Sequence, residues 1–332
     1  MTNYETTNII QFDTIKIRTK IDYLKSCYIT FNQNFNPNNG TVTGLFYSSK
    51  NDNNVPFDLF IAISYPKQSL TIEFSSKILF DNYPKLISKH TFKTCLDNIR
   101  NLGICDLNVE AILEDSYFSK LHVTKDISLE LTDNILEALN SQVDNYRRFK
   151  WQHYDRSGIR FTKDVSSRDC KETIVIYNKE KEMTLSKNSK FLSLCQNSNN
   201  IIQYFQGKAR FEIELDSMEK IRKYLNIANT HIKHVFATDN NPILFQFNRV
   251  FGVGESEYSS PLNTPDEYFL KHTILNHNYD LKQIEQDLRK CYASRSGLNK
   301  KMNQIKELCF QMQNTTSTTS NIFSNIREKL AA

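Results

Sequence analysis

The chain has 332 residues, 39% of them hydrophobic, and 42 Lys and Arg against 37 Asp and Glu give a formal charge of +5. That length is ample for a sizeable core and points to two domains, or one large domain with an appendage, while the mild basicity suits a polyanionic partner without requiring one. Seven scattered cysteines with no C-x-x-C pair argue for reduced thiols and against a disulfide framework or zinc site, and the lack of a leader or an apolar run of span length predicts a cytoplasmic protein with no membrane partner. Over 12–76, strand-like runs (DTIKIR, CYITF, TVTGLFYSS, FDLFIAISY, SLTIEFSS) alternate with turn-rich spacers such as NQNFNPNNG, predicting an antiparallel β region joined by hairpin loops. Phe92, Cys95, Leu96 and Ile99 recur at helical spacing over 90–102, and Gly103 ends the helix.

LHVTKDISLEL (121–131) alternates as a half-buried strand, after which Thr132 or Asp133 caps a helix to about residue 146. The basic aromatic segment YRRFKWQHY follows, then the strand IVIYN, a polar linker over 186–200, and the strand ARFEIEL leading into a helix from Ser217. Beyond 231 the periodicity is mainly helical, and QNTTSTTSN reads as a flexible joint. No internal repeat is apparent, and the boundary falls near 230. The expected fold is α+β, a central antiparallel sheet with flanking helices over 1–230 and a mainly helical region over 231–332.

The chain centres on IVIYNKEKEM (174–183). Strand alternation puts Val175, Tyr177 and Lys179 on one face, where the ammonium would favour the phenolate and make Tyr177 a nucleophile. The alternative is a strand end with a half-buried tyrosine and a solvated charge run. Three strands carry an acid in the middle of their polar face, Glu73, Asp126 and Glu212, although acids are depleted from strand interiors. On neighbouring strands they would converge as an oxygen site for Mg²⁺ or Mn²⁺, and a metal beside a tyrosine suits phosphoryl chemistry. The alternative is a wet outer sheet face. His231 and His234 read as surface or cap residues. Arg147, Arg148 and Lys150, interleaved with Phe149, Trp151 and His153, suit single-stranded DNA, or else a helix end that packs its rings inward.

Taken in order, FDTIKIR, TIEFSSKIL, KLHVTKDISLEL, TIVIYNKEKEM and KARFEIEL resemble the motifs of the filamentous-phage gene II replication protein and its plasmid relatives, the II/X family of rolling-circle initiators, over roughly residues 10–230. The resemblance implies a site-specific nickase and strand-transferase acting on double- and single-stranded origin DNA of a phage or plasmid, with host replication machinery, through a 5′-phosphotyrosine. The family's Tyr-x-Lys-x-x-Glu segment falls on Tyr177, Lys179 and Glu182. Its acidic positions fall on Glu73, Asp126 and Glu212, with a metal-binding role inferred from chemistry, and its Arg-Phe-Glu strand brings Arg210, expected to contact DNA. Two departures stand out: Lys125, preceded by Thr124, replaces the Arg of an Arg-Ile-Asp motif, and 231–332 has no match. There, Leu281, Ile284 and Leu288, then Leu298, Met302, Ile305 and Leu308, form two apolar seams around Ser296-Gly297, and Lys300, Lys301 and Lys306 leave a basic side for duplex phosphates or plain solvent. A non-catalytic DNA-binding or copy-control protein is the competing reading. A mobilisation relaxase is a second, disfavoured because no His-hydrophobic-His motif occurs.

Overall fold

The computed structural model describes residues 9–143, 149–154, 157–163, 172–251, 264–277 and 280–332. The chain opens with β1 (Phe12–Lys20), β2 (Leu24–Cys27), β3 (Asn32–Phe35), β4 (Val42–Ser48), β5 (Leu59–Ser64) and β6 (Ser69–Ser75). Helix α1 (Phe92–Asn101), β7 (Cys105–Leu107) and α2 (Val109–Asp115) lead to β8 (Tyr117–Ser128). Next come α3 (Asp133–Val143), β9 (Phe149–Tyr154), β10 (Gly158–Lys163), β11 (Glu172–Asn178), the short helices α4 (Lys179–Met183), α5 (Ser189–Leu194) and α6 (Ser198–Phe205), and β12 (Lys208–Leu215). Helices α7 (Met218–Leu225), α8 (Ile232–Phe236), α9 (Pro242–Phe251), α10 (Pro265–Asn276), α11 (Leu281–Arg289) and α12 (Arg295–Ala331) complete the chain.

Ten strands make one antiparallel sheet in the order β3-β4-β5-β6-β1-β8-β12-β11-β10-β9, while β2 pairs with β7 alone. The α+β class is therefore as expected. The strand order repeats about the central β1–β8 pair. In each half the chain starts at the centre, crosses to the edge, and returns strand by strand to lie beside its starting strand. Register fixes the equivalence: Glu73 lies opposite Lys16 and Phe60, and Glu212 opposite Thr124 and Val175. The sequence shows no repeat, but the topology does, because backbone pairing is duplicated while most side chains at matched positions are not.

One face of the sheet is apolar and buried, with Ile15, Ile17, Ile72, Phe74, Leu121, Phe211 and Ile213 at its core. Each such burial contributes roughly 1.5–3 kcal/mol. Phe92 of α1 packs there against Phe74, Phe118 and Phe236, at 6.4, 5.8 and 5.5 Å between ring centroids. Because Phe236 on α8 belongs to this cluster, the chain does not divide near 230. Its compact units are Met1–Val250 with Lys329–Ala332, and Phe251–Glu328. In the second unit Ile274, Ile284, Leu298, Met302, Ile305 and Leu308 form one core, so the two expected seams do pack.

Other expectations need correction. NQNF is strand β3, not a loop, and 186–200 holds α5 and α6, not a linker. QNTTSTTSN continues α12, since Ser and Thr are weak helix formers but no Gly or Pro interrupts them. Segment 149–154 is the edge strand β9; Arg147, Arg148 and the side chains of Lys150 and Trp151 lie outside the described residues. Among the described residues no helix is long and apolar enough to cross a membrane.

Candidate functional site

Tyr177 is the penultimate residue of β11, and the strand stops at Asn178 because that side chain accepts the Lys181 backbone N–H at 2.9 Å and caps α4. Lys179 therefore lies in a first helical turn and does not share a strand face with Tyr177. Its ammonium bonds Glu182 at 2.6 Å, one turn along, and both residues are buried. Asn188 donates to the Glu182 backbone carbonyl at 2.6 Å and to its Oε1 at 3.2 Å, and accepts from Lys77 at 2.7 Å. Burial opposes the Glu182 charge, but Lys179 overrides it and holds the carboxyl down at about 2. Burial also depresses the Lys77 ammonium, and the Lys179 charge adds to that.

The Tyr177 hydroxyl donates to Glu212 Oε1 at 2.7 Å. Burial, reinforced by the Asp13 charge, pushes the Glu212 carboxyl up to about 7 against the pull of Arg210. Burial, then the Glu212 charge, raise the Tyr177 phenol well above its ordinary range. The expected phenolate stabilised by Lys179 is thus overturned: the ammonium sits 5.5 Å from the Tyr177 ring centroid and spends its hydrogen bond on Glu182. The phenol keeps its proton, with a carboxylate already in place to accept it. Gly158, opposite Tyr177 on β10, permits this packing, since a Cβ there would come within 2.5 Å of the Tyr177 Cβ.

Beside them Arg210 is fully buried. Its Nε and Nη2 grip Asp126 in bidentate fashion at 2.6 and 2.8 Å, while Nη1 donates to Asp13 at 2.8 Å and to the Tyr83 hydroxyl at 3.1 Å. Arg210 is accordingly a buried scaffold and not the expected DNA contact. Tyr83, Phe191 and Phe205 roof this cluster, with ring centroids 5.4 Å (Tyr83–Phe191) and 5.6 Å (Tyr83–Phe205) apart. The segment Ser76–Lys85 that carries Lys77 and Tyr83 holds Phe80 at φ 52°, ψ −119°, a strained conformation for a non-glycine residue beside the cluster.

Glu73, Asp126 and Glu212 do share one face of one antiparallel sheet, as their alternation predicts. They do not form one ligand set for Mg²⁺ or Mn²⁺. Glu73 is held by Lys16 at 2.7 Å and Lys120 at 3.0 Å, Asp126 gives both oxygens to Arg210, and Glu212 accepts the Tyr177 hydrogen bond. Among the described residues no three His, Cys, Asp or Glu side chains are placed to hold a metal ion. Lys125 lies on the opposite face and donates to the Leu330 carbonyl at 2.8 Å. His231 is a cap residue, as expected, its ring accepting the Lys233 backbone N–H at 3.3 Å. In the second unit Lys301 pairs with Asp266 at 2.6 Å and Lys300 is exposed.

Asp13, Lys77, Tyr83 and Asn188 were invisible to sequence reasoning. Ile15 and Ile17 face the core, so strict alternation assigns Asp13 to the core as well; a bulge between Phe12 and Thr14 turns it onto the polar face instead. No family model and no curated protein matches the sequence.

Proposed function

We propose that the protein is a DNA nickase and strand-transferase that initiates rolling-circle replication at a phage or plasmid origin, with Tyr177 as nucleophile. The observation that carries this reading is the 2.7 Å hydrogen bond from the phenol to a carboxylate held near neutrality. A carboxyl titrating at about 7 is well matched to take and return a proton at physiological pH. As the phenol oxygen attacks phosphorus, Glu212 takes its proton and the P–O3′ bond breaks; the departing O3′ takes a proton from water, leaving a 3′-hydroxyl and a 5′-phosphotyrosine. In the reverse transfer the attacking 3′-hydroxyl gives its proton to water, and protonated Glu212 returns its own to the departing phenolate. Lys179 and Glu182 act one layer away: their ion pair fixes α4 and supports the strand end that presents Tyr177.

A divalent cation would polarise the scissile phosphate, an expectation that comes from the chemistry of phosphoryl transfer and that the separately engaged carboxylates do not support. Host machinery and origin DNA are proposed partners on the basis of the resemblance. The competing reading, a DNA-binding protein with a structural tyrosine, draws on one observation, the 5% exposure of Tyr177. A covalent-adduct assay separates them. Origin DNA labelled on the 3′ side of the nick, in the fragment whose 5′-phosphate the tyrosine carries, should migrate with wild-type protein on a denaturing gel and not with Tyr177→Phe. An adduct that survives that change would assign the nucleophile elsewhere.

A further inference from the structure

The polar face does not end at Tyr177. Across β1 it continues onto the first half of the sheet, where Lys16 and Lys120 hold Glu73 and Arg18 lies two residues along β1 on the same face. Lys16 and Lys120 keep 30% and 26% of their side chains exposed, and Arg18 is exposed. The next strands outward bring aromatic rings to the same face. Phe60 lies opposite Glu73, Phe46 lies diagonally beside it with ring centroids 6.2 Å apart, and both are half-buried. At the sheet edge Phe35 lies opposite Val42, two places along β4 from Gly44 and four from Phe46, and is 57% exposed.

Rings on an open sheet face with cations at one flank match a particular chemistry. Flat π-faces stack on unpaired bases, and cations beside them take the phosphates that link those bases. A duplex hides its base faces inside the stack and could use only the cations. With Glu214 beside Lys120 already paired to Arg160, the three cations Lys16, Arg18 and Lys120 against Glu73 leave this patch net positive, which favours a polyanion.

We propose that this face binds single-stranded nucleic acid, with bases on Phe46 and Phe60, phosphates on Lys16, Arg18 and Lys120, and the strand running over the central pair toward Glu212 and Tyr177. The proposal rests on the nickase reading only for the choice of DNA over RNA.

The test measures anisotropy of a fluorescein-labelled oligothymidylate, with oligouridylate and a duplex as further arms, on full-length protein carrying Tyr177→Phe so that nothing is cleaved. Phe46→Ala and Phe60→Ala should each weaken oligothymidylate binding about tenfold, and Arg18→Gln should flatten the salt dependence by roughly 0.7 in log–log slope. Phe→Leu partners keep the apolar bulk that the half-buried rings give to packing. Loss of affinity with Leu as well as Ala, at an unchanged melting temperature, identifies stacking. Affinity restored by Leu would overturn the proposal, as would Ala variants binding within about twofold of the parent or duplex DNA binding more tightly than the single strand. Equal binding of oligouridylate would replace DNA by nucleic acid in general. Adduct formation by protein with native Tyr177 is scored separately, so failure of the nickase reading leaves the binding result intact.

Discussion

The two halves of the sheet have one topology and opposite chemistry. Register matches Glu73 to Glu212, but around that shared acid every position differs. Lys16 stands where the second half has Thr124, Arg18 where it has Asp126, Thr71 for Arg210, Ala62 for Tyr177, and Phe46 for Gly158. The larger difference is in the connections. Strands β5 and β6 are joined by residues 65–68 alone, whereas β11 and β12 are separated by α4, α5 and α6, whose Lys179, Phe191 and Phe205 close over the polar face. Covered, that face becomes a dry cluster in which carboxyl and phenol are far from their solution behaviour; open, it stays a wet, basic surface. One inserted segment thus separates an open, hydrated sheet face from a covered polar cluster.

Removing the phenol, which half two has and half one lacks, should have the largest effect. Tyr177→Phe should abolish the covalent adduct while leaving oligonucleotide affinity intact, as read by denaturing gel and anisotropy. Next comes the shared acid. Glu212→Gln keeps the shape but cannot accept the proton, and nicking should fall by about 10²–10⁴. In the wild type the rate should rise with pH along a limb centred at about 7, and that limb should vanish in the variant. Stability runs the other way: since the folded carboxyl titrates above its unfolded value of 4.5, the stability it confers is full below pH 4.5 and is lost as pH rises through about 7. A pH–rate profile with no limb near 7 would remove Glu212 as the base.

Third is the scaffold. Arg210→Met leaves Asp126 and Asp13 without their cation in a buried site, and should cost about 3–5 kcal/mol in denaturant unfolding. Arg18→Gln, at the matched position of Asp126 on the exposed half, should stay within about 0.5 kcal/mol. Equal losses at both would mean that the two halves are buried alike.

How much of this could be read from the sequence follows the same division. The alternation of SLTIEFSS and ARFEIEL places Glu73 and Glu212 on the polar face without any knowledge of the fold, because one-sided burial fixes register. Helix α1 and the C-terminal seams are legible for the same reason. The cluster around Tyr177 is not. Asp13 depends on a bulge, Lys179 on a cap that ends the strand one residue early, and Asn188 on helices formed by a stretch that looks like linker. Each is a local departure from periodicity that only tertiary packing stabilises. The duplication leaves no mark in the sequence because it resides in hydrogen-bond topology, which has no residue-level signature.

The smallest expected effect belongs to Glu73, and it tests the metal expectation most directly. If Glu73 were a ligand of a catalytic metal, Glu73→Gln should collapse nicking, and Mn²⁺ in place of Mg²⁺ should recover part of it. The geometry gives this carboxylate a different occupation, bridging Lys16 and Lys120 across three strands. Burial opposes its charge, but the hydrogen bond from Lys16 and the charge of Lys120 prevail and lower its pKa. Its stabilising contribution is therefore present above pH 4.5 and fades as the pH falls below that. With the pair partly open to solvent, Glu73→Gln should cost no more than about 1 kcal/mol near neutrality, and less in acid. Freed from their shared acid, Lys16 and Lys120 should hold a single strand more tightly at low salt, while the first-order cleavage step at saturating oligonucleotide stays unchanged. A single-turnover rate that falls with Glu73→Gln, and recovers with Mn²⁺, would return Glu73 to the chemistry and erase the contrast between the halves.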